Sequence, residues 1–236
     1  GIYVENIDYR GRNIVVGKDV KGQVSLQLKD VPWREALTSV CRTQGLDVVE
    51  TREPTNVSPI GPLIRKLLSE PAHPYNKLDW RAMTLLCSAD RAWHVANIIQ
   101  PALDSGQTVI CDRYYLSTAV YQTAPLWLAA SYTKTERELQ HATDLFRAAG
   151  QWIMEVNQWC PVPDLTLILH SALAPERLKS RGARDTYDSD SALQDIVARA
   201  YRGPENWIGG EAVAHIEADG EPDEVAGRVL RACSDA

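Results

Sequence analysis

Short apolar segments that alternate with helix-like segments are the feature that most restricts how this 236-residue chain can fold. Residues 108–111 and 165–169 are two of these short segments, and each has the composition of a buried strand. Residues 60–68, 79–103 and 133–156 carry apolar side chains at helical spacing. Parallel strands need a crossover between them, which is usually a helix. The alternation therefore predicts an α/β fold, a parallel sheet with helices on both faces.

The remaining segments extend this pattern along the chain. Further strands are predicted at residues 2–4, 46–50 and 213–216, the last as an edge strand. Further helices are predicted at residues 174–181, 192–201 and 222–233. A helix that begins near Asp30 is predicted to end at Gly45. No repeat or low-complexity linker interrupts the chain, so residues 1–236 are expected to form a single α/β domain.

Composition argues against several classes of protein. The net charge of −6 argues against duplex nucleic acid as a partner, because such binding depends on many Lys and Arg contacts to phosphates. No run approaches the roughly 20 apolar residues that span a bilayer, and no basic region precedes an apolar run at the start. The five cysteines lack zinc-site spacing, which favours free thiols in a reducing compartment, with a single disulfide as the alternative. We expect a cytoplasmic protein with no membrane or nucleic-acid partner.

Charged side chains follow two of the predicted strands. Arg52 comes after the strand at 46–50, and Asp112 and Arg113 come directly after the strand at 108–111. Open parallel sheets bind ligands at the carboxyl ends of their strands, and guanidinium groups match the oxygens of a phosphate. Arg91 lies in the middle of a predicted helix, where burial would require a partner. Taken singly, these residues fit either a phosphate site or ion pairs that close the strand ends.

Several segments occur in an order that is typical of one family. They are Thr51-Arg-Glu-Pro54, Leu85-Leu-Cys-Ser-Ala-Asp-Arg91, Val109-Ile-Cys-Asp-Arg-Tyr114, Pro163-Asp-Leu-Thr166 and the arginine-containing segment at 181–185. Over about residues 46–236 the chain resembles the thymidylate kinase family of nucleoside monophosphate kinases. The resemblance implies a P-loop-kinase-like fold and an enzyme of nucleotide biosynthesis that transfers a phosphoryl group from ATP to dTMP. It also implies Mg²⁺ bound with ATP, and a homodimer.

The resemblance implies roles for the residues that match family motifs. Arg113 and Arg52 would bind the phosphate of the acceptor nucleotide, and Arg91 would hydrogen-bond the thymine edge. Tyr121 and Gln122 would contact its sugar and base. Phosphoryl transfer depends on positioning and positive charge more than on covalent chemistry by the protein, so these residue types suit the reaction.

Other matching positions concern the base and ATP. Cys87 occupies the position at which the family has a Phe that stacks on the base, and a thiol offers no π-face for stacking. Arg181 and Arg184 would close over ATP, and Asp112 would help to organise Mg²⁺ together with the phosphates. No metal site built by the protein alone is predicted.

The segment after the first strand departs from the family. The family's phosphate loop is G-x-x-x-x-G-K-[ST], and its four defining positions hold Asn6, Gly11, Arg12 and Asn13 in this chain. Gly11 is retained, Arg12 retains the charge of the lysine, and Asn13 lacks the hydroxyl that would bind Mg²⁺. Gly11, Arg12 and Asn13 are therefore the predicted ATP contacts. The catalytic candidates are Asp8, Arg12, Asp112, Arg113, Arg181 and Arg184.

Within the anomalous segment 13–46, residues 13–28 carry a strand-like pattern where the family would continue with a helix. Val24, Leu26 and Leu28 alternate with polar side chains, which predicts an irregular, β-patterned insertion. This segment resembles the short N-terminal module of bacterial secretins. Three functions stay open at this point: a thymidylate kinase-like enzyme impaired by its degenerate loop, a nucleotide-binding pseudo-kinase, or a secretin-type interaction module.

Overall fold

Five parallel strands form the sheet at the centre of the protein. In the computed structural model, which describes residues 2–6, 38, 41–42, 45–69, 79–172, 187, 190–203 and 212–235, the strands are β1 (Ile2–Asn6), β2 (Val48–Arg52), β3 (Thr108–Asp112), β4 (Leu165–His170) and β5 (Ala212–Glu217). Their order is β2-β3-β1-β4-β5, and every pair of neighbours is parallel. The predicted parallel sheet and the edge position of its last strand are confirmed.

Seven α-helices lie with both ends inside the described ranges. They are α1 (Gly61–Ser69), α2 (Trp80–His94), α3 (Gln100–Asp104), α4 (Tyr115–Ser131), α5 (Glu136–Val156), α6 (Ser191–Ala200) and α7 (Pro222–Asp235). The single helix predicted at 79–103 is α2 and α3 joined by a π-helical turn, Val95–Ile99. Pro101 follows this turn, and because its ring removes a donor and crowds the preceding turn, the helix widens there.

Helix-end geometry also explains why β2 begins later than predicted. Gly45 has a positive φ of 76°, its N–H bonds to the Arg42 carbonyl, and the Leu46 N–H bonds to the Cys41 carbonyl. These two bonds form a Schellman motif, which confirms the predicted helix end at Gly45. Leu46 is therefore used by the helix end, and the strand is 48–52 rather than 46–50. Arg52 is consequently the last residue of β2 rather than a residue beyond it.

Helices cover both faces of the sheet. Crossover connections between parallel strands are right-handed. The connection from β1 to β2 runs across the sheet in one direction, and the later connections to β3, β4 and β5 run in the other, so the two sets lie on opposite faces of the sheet. The buried Cys41 thiol lies near the buried Cys233 thiol of α7, and burial together with this neighbour raises the pKa of Cys233. The helix that ends at Gly45 therefore shares a face with α7. All five cysteines are free thiols.

The central strands form the buried core of the sheet. Val109, Ile110 and Cys111 of β3 are at most 1% exposed, as are Leu167 and Ile168 of β4. Such near-continuous burial is typical of parallel strands that are covered on both faces. Among the helices in the described ranges, we find none with the length and apolar character needed to span a membrane.

Candidate functional site

Charged residues meet at the carboxyl ends of β2 and β3, as predicted. Arg52 lies opposite Asp112 in the register of the two strands, and the Glu53 N–H donates to the Asp112 carbonyl over 2.8 Å. Asp112 is 1% exposed, whereas Arg52 and Arg113 are partly exposed. The strand order reverses beside the central strand β1, which is where open α/β sheets form their ligand crevice.

Arg113 adopts a backbone conformation that is rare for a residue with a side chain. Its φ is 69°, in the left-handed region, and such strain of about 1–3 kcal/mol is typically found at functional sites. The guanidinium carbon lies 5.0 Å from the ring centroid of Tyr121, and Nη2 lies 3.5 Å from the Tyr121 hydroxyl. The structure therefore brings together Arg113 and Tyr121, two residues to which the sequence assigns neighbouring parts of one ligand.

A third arginine, which the sequence did not single out, belongs to the same edge. Arg65 of α1 donates through Nη2 to the Pro54 carbonyl and is partly buried. Burial, and then the nearby positive charge of Arg52, lower the pKa of Arg65, while the carboxylates of Asp90 and Asp112 act in the opposite direction. Two guanidinium groups this close favour an anion between or beside them. The sequence offered one signal for Arg65, its position as a basic residue in the helix just after the Thr51-Arg-Glu-Pro54 segment.

Arg91 is buried behind this edge, at 1% exposure. Its Nε and Nη2 donate to Oε2 of Glu53 over 2.8 and 2.6 Å, and its Nη1 donates to Oδ1 of Asn157 over 2.7 Å. Nη2 also donates to Oγ1 of Thr118 over 2.9 Å, and the guanidinium carbon lies 5.3 Å from the Tyr114 ring centroid. The partner that the mid-helix position of Arg91 requires is therefore Glu53, the residue that follows Arg52.

The charge of Arg91 is retained in spite of its burial. Burial is the largest single influence and disfavours the charged guanidinium, but the Glu53 carboxylate together with Cys160 and Tyr114 raises the pKa of Arg91 above its usual value. Paired charges of this kind are costly to separate, so the position of the guanidinium is tightly defined. The hydrogen bond from Arg91 to a nucleotide base stays a prediction. Arg91 binds Glu53, the residue that follows Arg52, so the two arginines do not lie on separate surfaces.

Cys87 lies one helical turn before Arg91 on α2. It packs against an apolar cluster that contains Ile64, Leu67 and Met83, and its thiol also interacts with Thr118 and Arg91. Burial raises the pKa of the Cys87 thiol to about 12, so the group is a neutral thiol at neutral pH. The predicted base-binding role requires Cys87 to lie near Arg91, and it does. The role itself stays a prediction.

Asp90 shapes the loop that carries Pro54. Its carboxylate accepts from the N–H and the hydroxyl of Thr55, both over 2.7 Å, and from the hydroxyl of Ser58. The loop then passes so close to α1 that a Cβ on Gly61 would collide with the Thr55 carbonyl. Only glycine fits there, and the tight loop holds Arg52 and Arg65 at one edge.

Two tyrosines that the sequence did not single out contact the predicted acceptor residues. The amide of the buried Gln122 donates to the Tyr187 hydroxyl over 3.0 Å, and the Tyr121 and Tyr187 rings meet edge-on at 5.2 Å. Tyr201 lies behind them, with its hydroxyl 2.9 Å from that of Ser117. These contacts join residues 65 to 84 positions apart, and no local sequence pattern marks them.

Several predicted site residues fall outside the described ranges. They are Asp8, Gly11, Arg12, Asn13, Arg181 and Arg184, together with most of the segment 13–46. Within the part of the chain that the structure describes, no group of three or more His, Cys, Asp or Glu side chains is arranged to hold a metal ion. Asp112 is the predicted carboxylate that stands at the strand edge, and Mg²⁺ commonly binds one or two carboxylates together with substrate phosphates.

Comparison with known proteins identifies relatives of the whole chain. A family model described as thymidylate kinase matches residues 33–146. The chain is 36% identical to a probable thymidylate kinase of Pyrococcus horikoshii, over 67% of this chain and 68% of the relative. It is 32% identical to a thymidylate kinase of Caldicellulosiruptor saccharolyticus, over 96% of this chain and 97% of the relative. A thymidylate kinase of Rhizorhabdus wittichii is 33% identical over 85% and 89%, respectively.

The matched region contains most of the residues that form the strand-end site. Residues 33–146 include Arg52, Arg65, Arg91, Arg113 and Tyr121, and they begin inside the secretin-like segment 13–46. The similarity to the Caldicellulosiruptor protein extends over nearly the full length of both chains. The chain belongs to the thymidylate kinase family and is a kinase, a transferase that binds nucleotides.

Proposed function

We propose that this protein transfers the γ-phosphoryl group of ATP to dTMP, with Mg²⁺ bound to ATP. The observation that carries the proposal is the group of Arg52, Arg65 and Arg113 at the carboxyl edge of β2 and β3. Guanidinium groups gathered at this edge of a parallel sheet suit the phosphate of a nucleotide. The relatives named above carry the same activity in their names.

The acceptor nucleotide would lie across the ends of β2, β3 and α4. Arg113, supported by the Tyr121 ring, would bind its phosphate together with Arg52 and Arg65. Tyr121 and Gln122 would contact its sugar and base, and Cys87 and Arg91 would border the base. Because Cys87 has no π-face, about 1–3 kcal/mol of base stacking would be absent relative to an aromatic side chain.

The ATP side of the reaction rests on residues that remain sequence predictions. Gly11, Arg12 and Asn13 would contact ATP, and Asp8 would assist catalysis beside them. Arg181 and Arg184 would neutralise charge on the transferred group, which is the main requirement of phosphoryl transfer. Mg²⁺ would supply charge neutralisation at the phosphates, and the Asp112 carboxylate suits an ion that keeps most of its ligands from water and phosphate.

Coupled measurement of ADP release with dTMP as acceptor tests the proposal. Wild-type protein with MgATP should turn over dTMP, and Arg113→Ala should lose at least about 100-fold in kcat/KM, because a positioned charge on the reacting phosphate is removed. Arg147→Ala removes an exposed arginine of α5 and is the matched control, with activity unchanged. Wild-type turnover no greater than that of Arg113→Ala contradicts the proposal.

The phosphate loop favours a second candidate, a nucleotide-binding pseudo-kinase. Asn6, Arg12 and Asn13 replace three of the four residues that define the family's loop. Calorimetric titration with dTMP and with MgATP separates the two candidates. A kinase binds both nucleotides, whereas a pseudo-kinase of this kind binds dTMP and fails to bind ATP.

We also propose that two copies of the protein form a homodimer through α2. One side of this helix exposes Leu85, at 51% exposure, with Ala89 and Ala92 further along the same face. An apolar stripe at helical spacing that faces solvent is typical of an interface. Sedimentation analysis should show a dimer that Leu85→Glu dissociates and that the control Leu139→Glu, on exposed α5, leaves intact. A monomeric wild type, or a dimer insensitive to Leu85→Glu, contradicts this interface.

A further inference from the structure

A chain of hydrogen bonds runs behind the strand-end site and is formed by the Arg91 network, defined as Thr51, Glu53, Arg91, His94, Thr118 and Asn157. Its members come from β2, the following loop, α2, α4 and the end of α5. All except Thr51 are at most 5% exposed. Because a buried polar network is stable only when its groups are satisfied, each member restricts the geometry of the next.

His94 joins Glu53 to β2 within this network. His94 Nδ1 lies 3.1 Å from Glu53 Oε1, and His94 Nε2 lies 2.5 Å from Thr51 Oγ1. A carboxylate only accepts, so Nδ1 carries a proton and donates to Glu53, while Nε2 shares a second hydrogen bond with the Thr51 hydroxyl. Glu53 is thus held by His94 on one oxygen and by Arg91 on the other.

Arg91 itself is almost fully used by the protein. A guanidinium has five N–H groups in one plane. Within the described residues, two donate to Glu53, one to Thr118 and one to Asn157. The remaining N–H is on Nη1, the nitrogen that Asn157 binds. Because the group is planar, fixing one N–H of Nη1 also fixes the direction of the other.

Asn157 has the geometry to define that direction. Its Oδ1 accepts from Arg91 over 2.7 Å, and its Nδ2 donates to the Ile153 carbonyl over 2.7 Å, at the C-terminal end of α5. The amide is therefore tied to the helix on one side and to the guanidinium on the other. At 3% exposure it has no freedom to rotate away.

We propose that Asn157 is a positioning residue that orients the free Nη1 N–H of Arg91 towards the base of the acceptor nucleotide. The inference rests on the proposed dTMP site. It adds to that site Asn157, at the end of α5, a helix that supplies no other residue of the site. Arg91 would contact the ligand, and Asn157 would act only through Arg91. Its loss should therefore weaken dTMP binding and leave ATP binding unchanged.

Two substitutions separate positioning from a purely structural role. Asn157→Ala removes both the acceptor for Arg91 and the donor to Ile153. Asn157→Asp keeps an acceptor for Arg91, loses the donor to the helix end and adds a carboxylate beside the guanidinium. Both should lower thermal stability through the helix end, whereas only Asn157→Ala should disturb Arg91. Gln158→Ala, at the exposed neighbouring position, is the control for the helix end.

The experiment measures KM for dTMP, KM for ATP and kcat for wild type and the three variants. Asn157→Ala should raise the KM for dTMP about ten-fold, the effect of one misplaced charge-assisted hydrogen bond. Its KM for ATP should be unchanged, and its kcat should fall less than about three-fold. Asn157→Asp should restore the KM for dTMP to within about three-fold of wild type, and Gln158→Ala should match wild type.

Other outcomes overturn the inference. An unchanged KM for dTMP in Asn157→Ala, or an equal defect in Asn157→Ala and Asn157→Asp, shows that Asn157 serves only the helix end. If the wild type lacks turnover, the phosphoryl-transfer proposal fails, and calorimetric Kd values for dTMP in the same variants decide the role of Asn157. If the wild type does not bind dTMP, Asn157 has no such role.

Discussion

Removal of the Glu53 carboxylate should strongly destabilise the protein. Glu53 is 5% exposed and accepts two hydrogen bonds from Arg91, which is 1% exposed, so Glu53→Ala leaves a guanidinium buried without its counter-charge. The same change removes the acceptor for His94 Nδ1. The other two acceptors of Arg91, Thr118 and Asn157, are neutral and cannot replace a carboxylate.

The expected magnitude follows from the burial of both partners. Removal of one member of a buried ion pair costs about 3–5 kcal/mol, because the other charge stays desolvated. In a chain of this size each kcal/mol lowers Tm by about 2–4 °C, so Glu53→Ala should lower Tm by roughly 6–20 °C. An exposed ion pair would contribute less than about 1 kcal/mol, so the two cases are clearly separated.

Urea unfolding followed by tryptophan fluorescence and by circular dichroism measures the effect. Glu50→Ala, on the exposed side of the same strand, is the matched control and should stay within about 0.5 kcal/mol of wild type. The double variant Glu53→Leu, Arg91→Met removes both charges and should be closer to wild type than Glu53→Ala, because apolar side chains replace the whole pair.

A small effect would refute this reasoning. If Glu53→Ala unfolds within about 1 kcal/mol of wild type, Arg91 does not depend on Glu53 for its burial, since solvent or another group compensates it. The same holds if the double variant is as unstable as the single one, because the loss then arises from packing around Glu53 rather than from the unpaired charge.

Two further predictions concern backbone approach and pH. Gly61→Ala should destabilise by about 1–3 kcal/mol in urea unfolding, because the new methyl group meets the Thr55 carbonyl, whereas the helical Gly227→Ala should stabilise by up to about 1 kcal/mol. Burial lowers the pKa of His170 from 6.5 to about 4, with a smaller contribution from His215. The Nδ1 of His215 lies 2.6 Å from the Nε2 of His170. The unfolded chain therefore takes up this proton first, and the His170 contribution to unfolding free energy should fall from pH 6.5 towards pH 4; His170→Gln should flatten that dependence.

Much of the fold could be predicted from local patterns. The strands 108–112 and 165–170 and the helices α1, α5, α6 and α7 follow from apolar periodicity, and Gly45 marks a helix end by its conformational freedom. Helix α4 was not predicted from periodicity, and the helix predicted at 174–181 lies outside the described residues. The predicted start of β2 was wrong by two residues. The Schellman hydrogen bond of the Leu46 N–H competes with strand pairing, and apolar periodicity does not reveal such a bond. The π-helical turn before Pro101 likewise depends on helix geometry rather than on composition.

Part of the site could also be predicted, for a topological reason. Arg52 and Arg113 follow strands, and parallel strands end at the same edge, so sequence position alone brings them near each other. Arg65 and Asn157 were missed because neither follows a strand. Arg65 reaches the edge through the loop that Asp90 holds, and Asn157 reaches Arg91 across 66 residues of chain.

The sequence by itself determined the parallel α/β architecture, the family, and the pair of arginines at neighbouring strand ends, because these depend on periodicity, motif order and strand direction. Only the tertiary structure decided how Arg91 is used. Its helix position left both a ligand and an internal partner open, and the outcome depends on which carboxylate and which amide the fold brings within hydrogen-bonding distance. Glu53 and Asn157 lie 38 and 66 residues away, so their meeting at one guanidinium is a consequence of packing.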